Sequence, residues 1–375
     1  MDTADAYDAK AALADFHATR AGVRGLIESG AVVAVPPLFL APNGRHPSTP
    51  PLETTTPFAV PIIDLSSPRP SVVALVRAAA RTCGFFHVTN HGFRPGAALA
   101  AARAFHELPL VARSPFYSLA GPVEGVFYST MPNDPPRRAA DPAAIPILPW
   151  RDTLHVNIGQ KHLTTPGGGS LGRLPTECQD ALAEYQRAVS DLGKTVAGLL
   201  SEALGVGEGR LAAATRVEAS TMACHYYLPC TEPTRVMGSL EHTDPSLFAV
   251  LAQDAMGGLV ARLGGDGGWT DVPPVPDTLL VNIGDLLKVV SNDEFKSVEH
   301  KVRIKSTRDA RVSIAVFFNP DDDSQLIGPL PELVAAAGTP ERYRSFTMAE
   351  FMESRRDLGH GTSWITRFEP ISESD

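Results

Sequence analysis

The sequence predicts a mainly β protein with flanking helices, its strands packed as a double-sheet jelly roll of the cupin kind rather than as a parallel α/β sheet. Two observations carry this reading. Short runs of strand character dominate the second half of the chain, at Met222–Leu228, Leu247–Gln253, Leu259–Leu263, Thr278–Ile283, Ser297–Ile304 and Arg311–Asn319, each bounded by turn signals. Amphipathic helical patterns gather instead on the N-terminal side.

Taken in order, residues 1–30 place Leu13, Phe16, Val23, Leu26 and Ile27 at helical spacing, with Gly30 where a C-terminal cap belongs, and predict one helix on the outside of the main body. Residues 41–57, rich in Pro, Thr and Ser, read as an irregular linker. Phe58–Leu65 and Phe85–Val88 read as strands, Ser71–Thr82 and Ala97–Leu108 as helices, and the Pro/Gly clusters of 109–175 as loops and short strands over a site. The clearest helix begins at Thr176, where Thr176 and Gln179 have the spacing of a capping box, and ends at Gly205. Gly264–Gly268 lies between two strand-like runs and reads as a hairpin turn; the helix and Lys-Ser/Thr that a phosphate cradle needs are missing. Thr347 and Glu350 form a second capping-box pattern, opening a helix over 347–358. The expected organisation is an N-terminal helical extension and linker (1–57), a helical/strand region (58–215), the jelly-roll core (216–330) and a C-terminal helical tail (331–375).

A chain of 375 residues, 43% hydrophobic and 20% charged, has the ordinary composition of a globular protein and can bury a sizeable core. Its net charge of −9 argues against a nucleic-acid or anionic-membrane partner, which would need a basic footprint. The start Met-Asp-Thr-Ala-Asp lacks the basic and apolar regions of a signal peptide, and the apolar Ala31–Ala41 is short and broken by Pro36-Pro37. Cys83, Cys178, Cys224 and Cys230 form no Cys-x-x-Cys pair, which favours reduced thiols in a cytoplasmic protein. A monomer acting on a small molecule is expected.

The chemistry is concentrated between Ala223 and Pro320. His242 and Asp244 are one residue apart, so an extended backbone sends both side chains to the same face. His300 lies on the apolar face of an alternating run, Phe295–Val302. Two imidazoles and one carboxylate leave three positions open on a metal, the arrangement of non-haem Fe(II) oxygenases rather than of a closed zinc site. Arg311 and Ser313 share a face of an otherwise apolar strand with Ala315 and Phe317. A buried guanidinium needs an anion, either a protein carboxylate or the distal carboxylate of a dicarboxylate co-substrate.

His242-Thr243-Asp244, the segment Ser291–His300, Arg311-x-Ser313 and Tyr226-Tyr227-Leu228-Pro229-Cys230 together resemble the plant 2-oxoglutarate- and Fe(II)-dependent dioxygenases. Upstream, Pro61–Leu65, Cys83–Gly92 and Trp150-Arg151-Asp152 match the same family, so the resemblance spans roughly residues 58 to 355. Within it the chain is most similar to the branch of aminocyclopropane-carboxylate oxidase homologues and specialised-metabolite hydroxylases, including those of benzoxazinoid glucosides.

The resemblance implies a distorted double-stranded β-helix that holds Fe(II) on His242, Asp244 and His300, with ascorbate as reductant. It implies 2-oxoglutarate as co-substrate, its 1-carboxylate and 2-keto oxygens on iron and its 5-carboxylate at Arg311, Ser313 and the Tyr227 hydroxyl. O2 and 2-oxoglutarate would yield succinate, CO2 and a ferryl-oxo that hydroxylates a small plant metabolite. One position departs from the family: relatives usually read Asn-x-Tyr-Pro where this chain has His225-Tyr226-Tyr227-Leu228, and His225 is expected to hydrogen-bond near the co-substrate. The resemblance places Phe317 beside the substrate, an ordinary core aromatic being the alternative; Phe127, Tyr128, Trp150 and Phe351 are further pocket candidates for which core packing is the favoured reading. His87, His91, His106 and His155 are expected to satisfy local hydrogen bonds. Two other readings are an ascorbate-dependent aminocyclopropane-carboxylate oxidase that uses no 2-oxoglutarate, and a non-catalytic metal-binding jelly roll.

Overall fold

The computed structural model describes residues 7–30, 34–40, 59–122, 124–130, 147–163, 169–263, 268–358 and 364–370. The expected linker at 41–57, and the turn at 264–268 except its last residue, lie outside them.

Among the described residues twelve strands make the two main sheets, beside a small pair formed by Leu326–Ile327 and Phe346–Thr347: β1 Ile62–Asp64, β2 Phe85–Thr89, β3 Val126–Ser129, β4 Arg151–Asn157, β5 Val217–Tyr227, β6 Ser239–His242, β7 Phe248–Gln253, β8 Leu259–Ala261, β9 Thr270–Asp271, β10 Leu279–Ile283, β11 His300–Val302 and β12 Arg311–Pro320. The larger sheet runs β1-β2-β10-β7-β12-β5-β4-β3 and the smaller β6-β11-β8-β9. Every pair is antiparallel except β1 with β2. The expected mainly β architecture with flanking helices is therefore present.

The position of β12 explains its composition. It is central, between β5 and β7. Strand alternation sends Arg311, Ser313, Ala315 and Phe317 towards a cleft and Phe318 towards the helix Thr176–Ala203, where it packs over Gly193. A strand covered on both faces reads as a near-continuous apolar run, as Val312-Ser-Ile-Ala-Val-Phe-Phe318 does. Against Gly193 the ring comes so close that a Cβ there would lie 1.9 Å from Phe318. Phe318 also stacks on Phe248 with centroids 4.5 Å apart, so helix, β12 and β7 share one packing unit.

The two capping-box patterns have different fates. At Thr347 the box closes: the Thr347 amide donates to Glu350 Oε2 at 2.8 Å and the Glu350 amide to Thr347 Oγ1 at 3.2 Å. At Thr176 it does not, because Pro175 takes the cap position and Thr176 is already helical. Gln179 instead reaches back to the carbonyls of Leu174 and Gly172. Several strands are shorter than the sequence predicts, among them β1, covering only Ile62–Asp64, β8, only Leu259–Ala261, and β11, only His300–Val302.

The N-terminal reading also needs correction. Residues 9–28 form two helices, Ala9–Ala18 and Gly22–Glu28, rather than one. The break comes at Arg20 and Gly22, both at positive φ. Gly22 is required there: a Cβ would lie 2.4 Å from the Tyr128 hydroxyl and 2.5 Å from Asp152 Oδ1. The segment is packed on the main body. Asp152, fully buried, accepts the amides of Val23 and Arg24 at 2.9 Å each, the Tyr128 hydroxyl at 3.0 Å, and the hydroxyl of Thr130. Phe16, Phe39 and Trp150 continue the seam with edge-to-face contacts at 5.4 and 5.0 Å. The extension is thus fastened to β4, the strand that borders the cavity.

All four cysteines are buried free thiols. Among the described residues no helix is long and apolar enough to cross a membrane.

Candidate functional site

The smaller sheet brings His242, Asp244 and His300 together. His242 ends β6, His300 begins β11, and the two are directly paired. Asp244 follows β6 by two residues, and its Oδ1 lies 3.7 Å from Nε2 of each histidine. One ligand atom from each residue falls within a 4.8 Å cluster, and among the described residues this is the only such group of three or more.

Each side chain is held by the atom that faces away from the cluster. His242 Nδ1 donates to the Leu240 carbonyl at 2.7 Å and His300 Nδ1 to the Val298 carbonyl at 3.1 Å, which leaves both Nε2 lone pairs turned inward. Burial, reinforced by neighbouring His300, holds the His242 imidazole well below its ordinary range and so in the neutral form a metal binds. Asp244 Oδ2 accepts from Asn282 Nδ2 at 2.8 Å, leaving Oδ1 free to ligate. The Thr243 hydroxyl, between the two ligand types, donates to Asp285 at 2.8 Å and pins the turn. Donors of this kind, converging without an internal cation, fit a divalent metal.

The larger sheet supplies the opposite wall. Arg311, Tyr227 and Arg151 stand in one row across β12, β5 and β4. Arg311 is only 4% exposed; it donates to Ser313 Oγ at 3.0 Å and to Gln253 Oε1 at 2.8 Å, and lies 4.7 Å from the Tyr227 ring centroid. Its partners are all neutral. Nε is buried without a hydrogen-bond partner, and among the described residues no carboxylate lies within ion-pair distance. A buried cation with an orphaned donor fits the distal carboxylate of 2-oxoglutarate, the alternative of a protein carboxylate having no occupant here.

His225 is one row further along, between Ser313 and Thr153. Its Nδ1 bonds Thr153 Oγ1 at 3.0 Å, and it lines both the Arg311 cleft and a larger cavity of about 390 Å³. Burial pushes its pKa far down, with Arg151, His155 and Arg311 adding to the effect, so its ring is neutral.

The larger cavity takes Phe317 but not every aromatic candidate. Tyr128, on β3, is fully buried and bonded to Asp152 and the Ala21 carbonyl, and Trp150 and Phe351 belong to the core. Phe127 flanks the wall on the same face, its ring stacked on His155 at 4.3 Å and 7°. His155, expected to be a local structural histidine, is itself in the wall, with Arg151 and Asn157. The signal was the alternation Arg151-Asp-Thr-Leu-His-Val-Asn157: odd positions face the cavity and His225, while Asp152, Leu154 and Val156 are fully buried. Asn282 gave no such signal, since only tertiary proximity makes it a partner of Asp244.

Residues 218–320 match the model of the 2OG-Fe(II) oxygenase superfamily, and residues 60–164 that of the non-haem dioxygenase in morphine synthesis N-terminal region. A tomato (Solanum lycopersicum) protein described as a 1-aminocyclopropane-1-carboxylate oxidase homolog is 33% identical, covering 97% of this chain and 98% of its own. The chain belongs to the 2OG-Fe(II) oxygenase superfamily. Homolog 1 of the same description from Arabidopsis thaliana is 35% identical over 96% of both chains. Among solved structures, JOX2 in complex with 2OG, Fe and JA superposes with a TM-score of 0.76 at 26% identity, covering 93% of this chain and 98% of JOX2. The rice dioxygenase for auxin oxidation gives 0.66 at 25% identity, covering 83% and 100%. This protein is accordingly an Fe(II)- and 2-oxoglutarate-dependent dioxygenase, an oxidoreductase of the plant aminocyclopropane-carboxylate oxidase-like branch, with a double-stranded β-helix core.

Proposed function

We propose that this dioxygenase hydroxylates a small plant specialised metabolite, a benzoxazinoid glucoside or another aromatic defence compound. One C–H bond of the substrate and one molecule each of O2 and 2-oxoglutarate would be consumed, giving the alcohol, succinate and CO2. The observation that carries the reading is the buried Arg311, cationic and unpaired by any described carboxylate, across from three converged metal-ligand atoms.

In this reading Nε2 of His242, Nε2 of His300 and Oδ1 of Asp244 hold the iron, which supplies the activation of O2 and open positions for chelation. Arg311 and Ser313 grip the 5-carboxylate of 2-oxoglutarate, and the Tyr227 ring under the guanidinium fixes the fork. His225, anchored by Thr153, turns its other nitrogen towards the co-substrate and takes over from the asparagine common in relatives. Phe317 borders the substrate. Each group acts by orientation and by excluding water.

The two family-model matches, 60–164 and 218–320, support the division into a helical/strand region over 58–215 and a core over 216–330, with extension and tail at either end. The net charge of −9 and the buried free thiols support a cytoplasmic monomer that binds neither nucleic acid nor membrane. The relatives' description favours one second reading, an ascorbate-dependent oxidase needing no 2-oxoglutarate.

Succinate formation by the Fe(II)-loaded protein with ascorbate, with and without 2-oxoglutarate, tests both. Substrate-stimulated succinate that disappears in His242→Ala and Arg311→Ala is the expected result. Substrate oxidation that persists without 2-oxoglutarate would overturn it.

A further inference from the structure

We propose that the 390 Å³ cavity selects an organic carboxylate, received by the Arg151 guanidinium, with Arg355 supplying a second positive wall. The inference rests on the dioxygenase reading and narrows the substrate of that same site to an acid, in place of the neutral glucoside named above.

Arg151 opens β4 on its cavity face and lines both the cavity and the smaller Arg311 cleft. Among the described residues it makes no ion pair and no side-chain hydrogen bond; its guanidinium carbon lies 5.9 Å from the Tyr227 ring centroid. Two guanidinium groups therefore flank one aromatic ring. Arg311 suffices for the distal carboxylate of 2-oxoglutarate, which leaves Arg151 a positive charge facing the substrate side. A half-buried cation in such a place is stabilised by an anionic ligand, and the guanidinium fork matches a carboxylate in plane and spacing.

The rest of the wall agrees. Arg355, on the helix Met348–Leu358, lines the same cavity with its guanidinium carbon 5.2 Å from the Trp364 ring centroid. His155, on the Arg151 face of β4, is pushed down to about 3 by burial, with Arg151 and Arg355 adding to it. It therefore offers a neutral ring nitrogen.

The acidic lining groups do not neutralise Arg151. The strand register puts Arg151 level with Tyr227 and Arg311, at one end of β12, and Glu218 level with Asn319, near the other. Glu218 is engaged by the Gln160 amide, Asp321 is paired with Arg216 at 2.7 Å, and Asp323 is exposed. The arginine end of the cavity is the one that adjoins His242 and Asp244.

The test uses the full chain loaded anaerobically with Fe(II) and 2-oxoglutarate. Phenylacetate, 3-phenylpropanoate, indole-3-acetate and octanoate are compared with their methyl esters, by shift in melting temperature and then by succinate formation in air. At least one acid is expected to bind, and to stimulate turnover, about tenfold more strongly than its ester. Arg151→Gln should weaken that acid by about 10–100-fold in KM, the loss of one charge-assisted hydrogen-bond pair, while affecting 2-oxoglutarate and the ester far less. Arg151→Lys should fall between, and Arg355→Gln should weaken the acid by a smaller factor.

A panel in which no acid outperforms its ester, or in which neutral glucosides bind better than any acid, overturns the proposal. So does an Arg151→Gln variant whose defect is confined to 2-oxoglutarate, since that would assign Arg151 to the co-substrate. Failure of the underlying reading is distinguishable: the wild-type protein would then bind no 2-oxoglutarate and form no succinate, even slowly without substrate.

Discussion

His242 and His300 stand directly opposite each other on β6 and β11, their ring centroids 4.3 Å apart, although β7 to β10 all lie between them in the chain. The pairing puts two nitrogen ligands on adjacent strands of one sheet, and the turn after β6 adds Asp244 from the side. The strength of this site depends on the groups behind it as well as on the ligands.

Asn282 is the clearest case. Its amide fixes Asp244 Oδ2, so Asn282→Ala should leave the carboxylate free to rotate and weaken Fe(II) binding by about 10–100-fold. Titration with Fe(II) under argon measures this. Unchanged affinity would show that Asp244 needs no support.

Arg311→Lys retains the charge and loses the fork. The contacts to Ser313 and to the co-substrate cannot both be kept by an ammonium, so affinity for 2-oxoglutarate should fall by about 2–3 kcal/mol, roughly 30–150-fold. The check is the 2-oxoglutarate KM with substrate saturating. A change under threefold would remove Arg311 from the clamp.

Gly193→Ala places a methyl group against the Phe318 ring, which cannot retreat because it stacks on Phe248. Overpacking of this kind costs about 1–3 kcal/mol. Urea unfolding should show a lower midpoint with an unchanged slope.

Asp152→Ala leaves the Val23 and Arg24 amides and the Thr130 hydroxyl without their acceptor, and the Tyr128 hydroxyl with the Ala21 carbonyl alone. The two N-terminal helices should detach first, so limited proteolysis should cut within residues 1–40 well before the core. Equal cleavage rates in variant and wild type would count against the fastening role of Asp152.

Stability should fall on the acid side because of His106. It is buried, stacks on Tyr226 at 5.2 Å and donates from Nε2 to the Cys224 carbonyl at 3.0 Å. Burial pushes its pKa from 6.5 down to about 3, with Arg113 and Arg24 nearby also opposing a second positive charge. Its contribution is therefore intact above pH 6.5 and declines as the pH falls towards 3, where the unfolded chain takes up a proton that the folded one refuses. In melting experiments His106→Gln should show a shallower decline over that window. A parallel decline in both proteins would exonerate His106.

The metal-ligand motif, the Arg311–Ser313 pair and the β alternation were all legible in the sequence, because each depends on the two-residue period of a strand. Where the period was masked, reading failed. The N-terminal segment looked like one helix because its apolar spacing is continuous, and only the space at Gly22, filled by Tyr128 and Asp152, demands the break. Tyr128, a pocket candidate for which core packing was favoured, is in the core, because consecutive strand residues point to opposite faces and Phe127 takes the other one.

By itself, then, the sequence determined which residues can bind iron and an anion, and that all but Asp244, in the turn after β6, ride on strands of a jelly roll. The tertiary structure alone decided that the Arg311 guanidinium finds no carboxylate among the described residues, that Asn282 supports Asp244, and that Arg151 and His155 face a cavity. The physical reason is that local backbone periodicity is written in neighbouring residues. Pairing, burial and the absence of a partner depend on segments brought together from far along the chain.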